Sequence, residues 1–189
     1  MIGGLVLAAG EGVRFGGPKQ LAELDGRPLL EHAIEAMSRV PAIERIVVVL
    51  GAHADEIRAK VDFLYTEPVF CEGWREGQAA SLRTGVRELG DVEAVVITLG
   101  DQPRITPQVI AMALDYFVEG ERAVRLTYDG KPGHPVVLPG GMIPKLMELE
   151  GDRGARLLLE EAGALEVEAG HLASAADVDT PDDLEVLRR

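Results

Sequence analysis

The sequence predicts an α/β protein in which a mostly parallel sheet lies between two layers of helices. Short aliphatic runs alternate along the chain with segments of helical periodicity, which is typical of successive β-α-β units. Two of the runs, residues 45–50 and 94–99, are filled almost continuously by aliphatic side chains. Strands of this composition are buried on both faces, as in a parallel sheet covered by helices. The expected architecture is a three-layer α/β/α sandwich with right-handed crossovers.

Six strands are predicted from these runs. They are expected at residues 4–8, 45–50, 94–99, 123–127, 135–138 and 165–168. The stretch 130–141 contains three prolines and four glycines. Such a composition predicts an excursion from the sheet, so residues 128–145 are expected to contribute a lid or a substrate-side subregion.

Helices are predicted where apolar residues recur at spacings of three and four. The predicted helices are residues 29–39, 54–60, 79–89, 107–117, 152–162 and 181–187. Two of them have a clear start, because Thr106 and Thr180 are typical N-caps and each precedes a proline at the first helical position. Asp182 and Asp183 then lie in the first turn of the last helix, where the helix dipole favours negative charge.

Length, composition and charge narrow the class of protein. The 189 residues suit one domain, with no apolar run near the roughly 18 residues of a membrane span. Cys71 is the sole cysteine, which excludes an intramolecular disulfide and favours a reducing cytoplasm. The net charge of −13 argues against a nucleic-acid partner, because phosphates would be repelled. It does not exclude a nucleotide, since local cations and a divalent metal can invert the potential of one cleft.

The most informative segment follows the first strand. It contains glycines at positions 10, 12 and 16, with Arg14 among them and Lys19 at its end. Glycines let backbone amides approach an anion closely, and the two cations can neutralise further charge. Polyphosphate binding is therefore predicted, against the alternative of a solvated glycine-rich connector. A dinucleotide fingerprint is disfavoured by the late third glycine and by Pro18, and the Lys-Ser or Lys-Thr pair of a Walker loop is absent.

Two acidic positions far downstream are candidates for a metal site. Asp101 directly follows the buried strand 94–99, where ligands bind in open α/β sheets. Asp177 and Asp179 are separated by Val178, so in an extended segment their side chains point to opposite sides. We expect Asp179 to face the cleft and Asp177 to support a neighbouring loop. Asp101 and Asp179 would then hold Mg²⁺, the alternatives being a turn aspartate and an ordinary helix start.

Four weaker candidate residues lie elsewhere in the chain. Gln78 and Ser81 lie in the first turn of a predicted helix, where helix amides and polar side chains could contact a base or a ribose. A capped amphipathic helix is the alternative. His134 precedes a proline and Arg156 lies on a predicted helix, so each is also consistent with a purely structural role.

Together these segments resemble the MobA-like nucleotidyltransferase superfamily, and most closely the molybdenum cofactor cytidylyltransferases. The resemblance spans nearly the whole chain and is carried by six motifs in a specific order: Leu-Ala-Ala-Gly-Glu-Gly-Val-Arg-Phe-Gly-Gly-Pro-Lys at 7–19, Glu-Gly-Gln-Ala-Ala-Ser-Leu-Arg-Thr-Gly at 76–85, Gly-Asp-Gln-Pro at 100–103, Gly-His-Pro at 133–135, Gly-Asp-Arg-Gly-Ala-Arg at 151–156 and Asp-Val-Asp-Thr-Pro-Asp-Asp-Leu at 177–184.

The resemblance implies a role for each candidate residue and a single Rossmann-like domain of the nucleotide-diphospho-sugar transferase type over residues 1–189. It places Gln78 and Ser81 beside the base and ribose, Mg²⁺ on Asp101 and Asp179, and His134 and Arg156 on the acceptor side with the excursion at 128–145. Lys19, Arg14 and Asp101 are the implied catalytic residues. The residues implied to hold the nucleoside triphosphate are Ala8, Ala9, Gly10, Glu11, Gly12, Arg14 and Lys19, with Asp101 adjoining.

The implied reaction transfers a nucleoside monophosphate from a triphosphate to a phosphorylated small-molecule acceptor, with release of pyrophosphate. Leu-Ala-Ala-Gly at 7–10 is typical of cytidine-using members, which favours CTP and molybdopterin, followed by handover to a molybdoenzyme or its chaperone. Gly-Gln-Ala-Ala-Ser-Leu at 77–82 departs from the Gly-Met-Ser-x-Ser-Leu that is usual in that group, so GTP and ATP stay open. The alternatives are a sugar phosphate or methylerythritol phosphate acceptor, a nucleotide-binding module without turnover, and a dinucleotide-dependent oxidoreductase.

Overall fold

The computed structural model describes residues 1–117, 122–152 and 154–189, which form an α/β fold around a seven-stranded sheet. The sheet strands are β1 (Ile2–Ala8), β4 (Arg45–Leu50), β5 (Glu67–Phe70), β6 (Ala94–Leu99), β7 (Val124–Tyr128), β8 (Lys131–Pro139) and β9 (Leu165–Glu168), and β2 (Glu23–Leu24) pairs separately with β3 (Arg27–Pro28). The helices are α1 (Leu29–Ser38), α2 (Ala54–Lys60), α3 (Gln78–Leu89), α4 (Pro107–Asp115), α5 (Ile143–Met147), α6 (Ala155–Ala162) and α7 (Pro181–Leu187).

The strands of the large sheet are arranged in the order β5-β4-β1-β6-β8-β7-β9. β5, β4, β1 and β6 are mutually parallel, and β7 is parallel to β9. β8 runs antiparallel to both of its neighbours, β6 and β7. The sheet is thus mostly parallel. β1 and β6 are adjacent central strands, and their carboxyl ends lie side by side.

Alternation of side chains along the strands builds two separate hydrophobic layers. Val6, Val48 and Val96 belong to the cluster on one face of the sheet, whereas Leu5 and Val47 belong to the cluster on the other. Both sets are fully buried. Because both faces are covered, the runs predicted as buried parallel strands carry almost no polar residue. The predicted sandwich of helices around a parallel sheet is confirmed.

Helix α3 lies directly on this sheet because a glycine faces the strands. A Cβ atom added at Gly85 would come within 2.1 Å of the Leu5 side chain and 2.9 Å of Val49. A larger residue would therefore push the helix away from β1 and β4. This close contact holds α3 against the sheet, and the N-terminal end of that helix borders the candidate site.

Several elements have the bounds that the sequence predicts, namely β4, β6, β9, α2 and α7. The strand predicted at residues 135–138 is confirmed but is longer, because residues 131–139 form β8 inside the sheet, and the excursion predicted over residues 130–141 is therefore wrong for most of its length. Two of its prolines stand near the ends of β8. The third, Pro135, lies within an irregular stretch of β8, where residues 133–135 stand opposite the single β7 residue between Arg125 and Thr127, so the missing amide donor is tolerated there.

Three other differences have simple causes. The edge strand β5 contains Pro68 and only four residues, so its composition resembles a loop. Helix α5 and the β2–β3 pair are too short to produce a periodic pattern. Helix α6 begins at Ala155, three residues later than predicted, and Arg153 lies outside the described residues. Across the described ranges, none of the helices combines the length and the apolar character that a bilayer crossing demands.

Candidate active site

Four charged side chains meet where β1 and β6 end. The Lys19 Nζ atom lies 2.5 Å from Asp101 Oδ2 and 2.9 Å from Asp179 Oδ1. Arg14 Nη2 lies 2.8 Å from Asp179 Oδ2. Residues that are 160 positions apart in the sequence therefore form one cluster with two negative and two positive charges. We call these four residues the charged cluster.

The two carboxylates of the charged cluster are held by the backbone. Asp101 follows β6, whose end is fixed when the Gly100 amide donates to the Leu7 carbonyl of β1 at 2.9 Å. The Val178 amide donates to the Asp101 carbonyl at 3.0 Å, which brings the segment that carries Asp179 against the end of β6. Val178 is fully buried in a small apolar cluster with Leu24, Leu29 and Leu184. Val178 thus anchors the segment, and its two acidic neighbours flank that anchor.

Those neighbours contact different partners, as their alternation predicts. Asp179 reaches Lys19, whereas Asp177 Oδ1 accepts a hydrogen bond of 2.7 Å from Gln102 Nε2. A capping box at the start of α7 fixes the chain just after them. Thr180 caps the Asp183 amide, and the Asp183 carboxylate accepts from the backbone amides of Thr180 and Asp179. The Asp179 backbone is therefore fixed from both sides.

The glycine-rich segment forms a tight turn ahead of Lys19. The amides of Phe15, Gly16 and Gly17 all donate to the Gly12 carbonyl, at 2.9–3.2 Å. Gly12 has a φ of +71°, and a Cβ atom there would lie 2.0 Å from the Gly17 carbonyl oxygen, so this position requires glycine. The amides of residues 15–17 are thus engaged. Those of residues 10–14 donate to no acceptor within the described part of the chain, and they are the ones suited to an anion.

Gln20, which the sequence reasoning missed, closes the same segment from within. Its Nε2 atom donates to the carbonyls of Ala8 and Gly10, each at 2.9 Å, and its side chain is buried. These bonds hold the end of β1 against the start of the turn. No periodicity or motif points to this role, because Gln20 is polar and its burial is visible only in the folded chain.

The ionisation of Lys19 reflects its surroundings. Its side chain is only 13% exposed, and burial alone would lower the pKa of the ammonium. The attraction and hydrogen bonds of the Asp101 and Asp179 carboxylates outweigh burial and raise the pKa above its ordinary value. Lys19 is therefore a cation throughout the physiological range.

The charged cluster borders a cavity of about 450 Å³, here called the first cavity. Trp74 and Asp152 also line it and were not predicted from the sequence. Glu11 and Gly12 are not among its lining residues, and Asp179 adjoins it through its contact with Lys19. The predicted site residues that do line it are Ala8, Ala9, Gly10, Arg14, Lys19, Gln78, Ser81 and Asp101.

The amino end of α3 differs in one respect from the expectation. The Ala79 amide donates to the Gly151 carbonyl at 3.0 Å, so this first-turn amide is occupied rather than directed at a ligand. Gly77 allows the approach, because its φ is +110° and a Cβ atom there would lie 2.5 Å from the Gly151 carbonyl carbon. The loop that precedes α6 is thereby fastened to α3 and forms one wall of the first cavity.

A second cavity of about 330 Å³ lies on the other side of that wall. Gln78, Leu99 and Asp152 line both cavities. His134 and Arg156, the predicted acceptor-side residues, both line the second cavity, and so do Gln102, Arg125 and Asp177. The structure therefore brings the predicted residues into the linings of two adjoining cavities, apart from Glu11, Gly12 and Asp179, and Asp179 contacts Lys19 beside the first cavity.

The polar residues of the second cavity differ in exposure: Gln102 and Arg125 are buried, His134 is partly buried, and Asp152, Arg156 and Asp177 are exposed. Desolvation lowers the pKa of His134 to about 4, so its imidazole is neutral near pH 7. Desolvation and the nearby Asp101 carboxylate raise the pKa of Asp177. Arg125 is buried and pairs with Glu166. Arg125 Nε and Gln102 Oε1 are buried and find no hydrogen-bond partner in the described part of the chain. Neither residue was singled out from the sequence.

Comparison with known proteins identifies the family. A model described as the MobA-like NTP transferase domain matches residues 4–167, which contain Lys19, Asp101 and all the residues that line the first cavity. The chain belongs to this family.

Relatives of this MobA-like chain carry several different names. It is 30% identical over 191 residues to the nicotine blue oxidoreductase of Paenarthrobacter nicotinovorans, covering 96% of this chain and 93% of that protein. It is 31% identical to the 2-C-methyl-D-erythritol 4-phosphate cytidylyltransferase of Rubrobacter xylanophilus, over 82% of this chain and 62% of that one. It is also 31% identical to a probable molybdenum cofactor guanylyltransferase of Thermococcus sibiricus, over 64% of this chain and 58% of that one.

Solved structures share the fold of the MobA-like chain over its whole length. The Rv0371c protein of Mycobacterium tuberculosis H37Rv is 29% identical, with a TM-score of 0.86 over 99% of this chain and 97% of that one. A second structure of that protein, in complex with manganese, has a TM-score of 0.82 and 26% identity over 98% and 97% of the two chains. Together with the relatives, the family match makes the chain a nucleotidyltransferase.

The carboxylates of this MobA-like site fit a divalent metal ion. Asp101 and Asp179 converge on one nitrogen atom, and Asp101 Oδ1 is buried without a hydrogen-bond partner in the described part of the chain. Within the same residues, no group of three or more acidic, histidine or cysteine side chains could hold a metal. Two carboxylates are nevertheless the donor set that Mg²⁺ commonly uses, since phosphate oxygens and water supply its other ligands.

Proposed function

We propose that this nucleotidyltransferase moves CMP from CTP onto the terminal phosphate of molybdopterin, in a reaction that depends on Mg²⁺. The proposal rests above all on the charged cluster, in which Lys19 joins Asp101 and Asp179 beside the glycine-rich turn. This cluster combines groups for phosphate and metal at the mouth of one cavity. The first cavity would take the triphosphate, and the second cavity would take the acceptor.

The triphosphate would lie along the glycine-rich turn. The amides of residues 10–14 would donate to its phosphate oxygens, and Lys19 and Arg14 would neutralise its charge. Ala8, Ala9 and Gly10 form the floor at the end of β1, while Gln78 and Ser81 lie on the side where the base and ribose would bind. Roles for Glu11 and Gly12 would come through the turn rather than through the cavity lining.

Asp101 and Asp179 would hold Mg²⁺, which when bound neutralises phosphate oxygens near the reacting centre. That a protein sharing this fold has been solved in complex with manganese supports a divalent metal as the cofactor. The remaining contributions to catalysis would come from side chains and amides of the protein. They position the triphosphate and stabilise the negative charge that develops on its oxygens.

The proposed reaction forms no covalent intermediate with the protein. An oxygen of the acceptor phosphate attacks the α-phosphorus of CTP, and the bond from that phosphorus to the β-phosphate bridging oxygen breaks. A phosphoanhydride forms as pyrophosphate leaves with the electron pair of the broken bond. Lys19 and Arg14 would stabilise the departing pyrophosphate. The acceptor phosphate is already ionised at pH 7, so no general base is required.

The choice of acceptor and base rests on the motifs and the relatives. Leu-Ala-Ala-Gly at 7–10 favours a cytidine nucleotide, and a probable molybdenum cofactor guanylyltransferase is among the relatives. The second cavity, with the neutral His134 imidazole and Arg156, would contact the acceptor. Handover of the product to a molybdoenzyme or its chaperone, and a cytoplasmic location, would follow from such a role.

A pyrophosphate-release assay tests the proposal. The purified protein with Mg²⁺ is given CTP, GTP or ATP, each with molybdopterin, a sugar phosphate or 2-C-methyl-D-erythritol 4-phosphate. We expect release with CTP and molybdopterin and little with other pairs. Release with another pair would correct the substrate, and binding of nucleotide without release under any condition would indicate a module without turnover.

One relative favours a second candidate. The nicotine blue oxidoreductase covers 96% of this chain, so reduction with a nicotinamide dinucleotide is the rival activity. The turn at residues 12–17 and Pro18 do not form the glycine-to-helix junction that such cofactors use. A fluorescence titration with NADH and NADPH decides the matter. We expect no saturable binding, and submicromolar binding of either cofactor would favour the oxidoreductase.

A further inference from the structure

The carboxylate oxygens of the charged cluster are already paired with cations of the chain. Lys19 contacts Asp101 Oδ2 and Asp179 Oδ1, and Arg14 contacts Asp179 Oδ2. Three of the four carboxylate oxygens are thus engaged, and the fourth, Asp101 Oδ1, is buried. A divalent cation that bound to these carboxylates would have to displace one or both side-chain cations, or lie against them.

The same two cations are the groups suited to the triphosphate. Lys19 and Arg14 both line the first cavity, so each has two alternative sets of anionic partners, the carboxylates and the phosphates. The Arg14 side chain is 73% exposed and can move readily. Lys19 is mostly buried, but its long side chain can turn from the carboxylates towards the cavity without a change in the backbone.

We propose that Lys19 and Arg14 act as internal counter-ions that keep a free divalent cation off Asp101 and Asp179 until a triphosphate draws them away. This inference rests on the proposed function only in taking the first cavity as the triphosphate site. Metal and nucleotide then bind with positive coupling. The triphosphate draws away the two cations that repel the metal, and the metal neutralises the two carboxylates that compete with the triphosphate for those cations. By linkage the coupling is reciprocal.

Charge balance explains why the states with only the metal bound, or only the triphosphate bound, are disfavoured. A free divalent cation between the carboxylates adds two positive charges next to Lys19 and Arg14, which repel it at close range. A triphosphate alone withdraws the cations and leaves the partly buried Asp101 carboxylate without a counter-ion, which is costly. When both bind, the metal takes the carboxylates and the side-chain cations take the phosphates. Every charge then has a partner.

Manganese binding in the absence of nucleotide tests the inference. Electron paramagnetic resonance measures free Mn²⁺ as it is titrated into the protein, so activity is not needed. We expect Lys19→Met to tighten nucleotide-free Mn²⁺ binding by about tenfold, a common size for coupling between sites. Arg14→Met should tighten it by a smaller factor, since Arg14 contacts one carboxylate oxygen and is more exposed.

Two further variants locate the effect. Lys60→Met removes a lysine that pairs with Glu56 on the surface of α2, and it should leave Mn²⁺ binding as in the parent. The double variant Lys19→Met with Asp101→Asn should lose the affinity that Lys19→Met gains. If the double variant keeps that affinity, the ion binds elsewhere and the inference is wrong. Unchanged or weaker Mn²⁺ binding by Lys19→Met would overturn it directly.

The design separates this inference from the proposed function. If Lys19→Met does not fold, as judged by circular dichroism, Arg14→Met carries the test, because its side chain lies mainly in solvent. Unchanged binding by Arg14→Met would then overturn the inference. If no triphosphate releases pyrophosphate but both single variants bind Mn²⁺ more tightly, the counter-ion role stands and the proposed reaction fails.

Discussion

The first and second cavities share a wall but present different chemistry to what they bind. The first cavity adjoins four mutually paired charges at the carboxyl ends of parallel strands. The second is lined by a neutral histidine, a buried arginine and an amide, and it borders the antiparallel strand β8. A polyphosphate requires positive charge, which Lys19 and Arg14 supply at the first cavity, whereas the second cavity combines buried hydrogen-bonding groups with exposed charges. Under the proposed function, the first cavity serves the nucleotide and the second the acceptor, so substitutions in one cavity should change the kinetics of one substrate and not of the other.

The largest effect should follow from removal of one member of the charged cluster. We expect Lys19→Ala and Asp101→Ala each to lower the turnover rate by about 10²–10³-fold, because a preorganised charge that stabilises the transition state is lost. The measurement is the rate of pyrophosphate release at saturating nucleotide. Circular dichroism should show that both variants remain folded, and normal turnover by either one would remove the basis for the charged cluster as the catalytic centre.

Asp179 and Asp177 allow the two cavities to be compared, because Asp179 contacts Lys19 beside the first cavity and Asp177 lines the second. Asp179→Asn should lower kcat/KM by roughly 10–100-fold, equivalent to about 1.5–3 kcal/mol for a lost charged contact. Asp177→Asn keeps an oxygen towards Gln102 and should leave nucleotide affinity unchanged while it alters the KM for the acceptor. Steady-state kinetics with each substrate varied in turn measures both. Equal effects of the two substitutions on nucleotide affinity would contradict the division between the cavities.

The residues of the first cavity could be predicted from the sequence better than those of the second, and the reason is physical. Lys19 and Asp101 lie immediately after strands that their composition reveals, and parallel strands end at a common edge, so their convergence follows from the pattern. The alternation of Asp177 and Asp179 likewise follows from extended geometry. Arg125 and Gln102 are different. Their burial is visible only in the folded chain, and Arg125 lies in β7 beside β8, whose prolines resemble a loop in the sequence and are accommodated by a register shift at residues 133–135.

A prediction about acidity concerns the second cavity alone. The pKa of His134 is about 4 in the folded protein, below its ordinary value near 6.5. The unfolded chain therefore binds a proton more readily between those values, and the free energy of unfolding should fall as pH drops from about 6.5 to 4. The loss from this group should reach roughly 2–3 kcal/mol. Urea unfolding at pH 7.5 and pH 4.5 measures it.

The His134→Gln variant provides the control for that measurement. It cannot titrate, so its unfolding free energy should fall less over the same interval, and the difference between the two proteins isolates the histidine. Other groups, including Asp183 and Glu168, have lowered pKa values and titrate equally in both proteins. Parallel pH profiles for the parent and the variant would mean that His134 is exposed to water.

The smallest effect is expected at Arg156, at the rim of the second cavity. Its side chain is 80% exposed and pairs with Glu160 one turn along α6. Exposed pairs of this spacing contribute little to stability, so Arg156→Ala should leave Tm unchanged. Any effect should then appear in the KM for the acceptor and not in the KM for the nucleotide. A matched change at Arg188, which pairs with Glu185 on α7, controls for the loss of a surface charge. If Arg156→Ala and Arg188→Ala behave alike in both KM values, Arg156 does not contact the acceptor, and recognition rests on the buried groups of the second cavity.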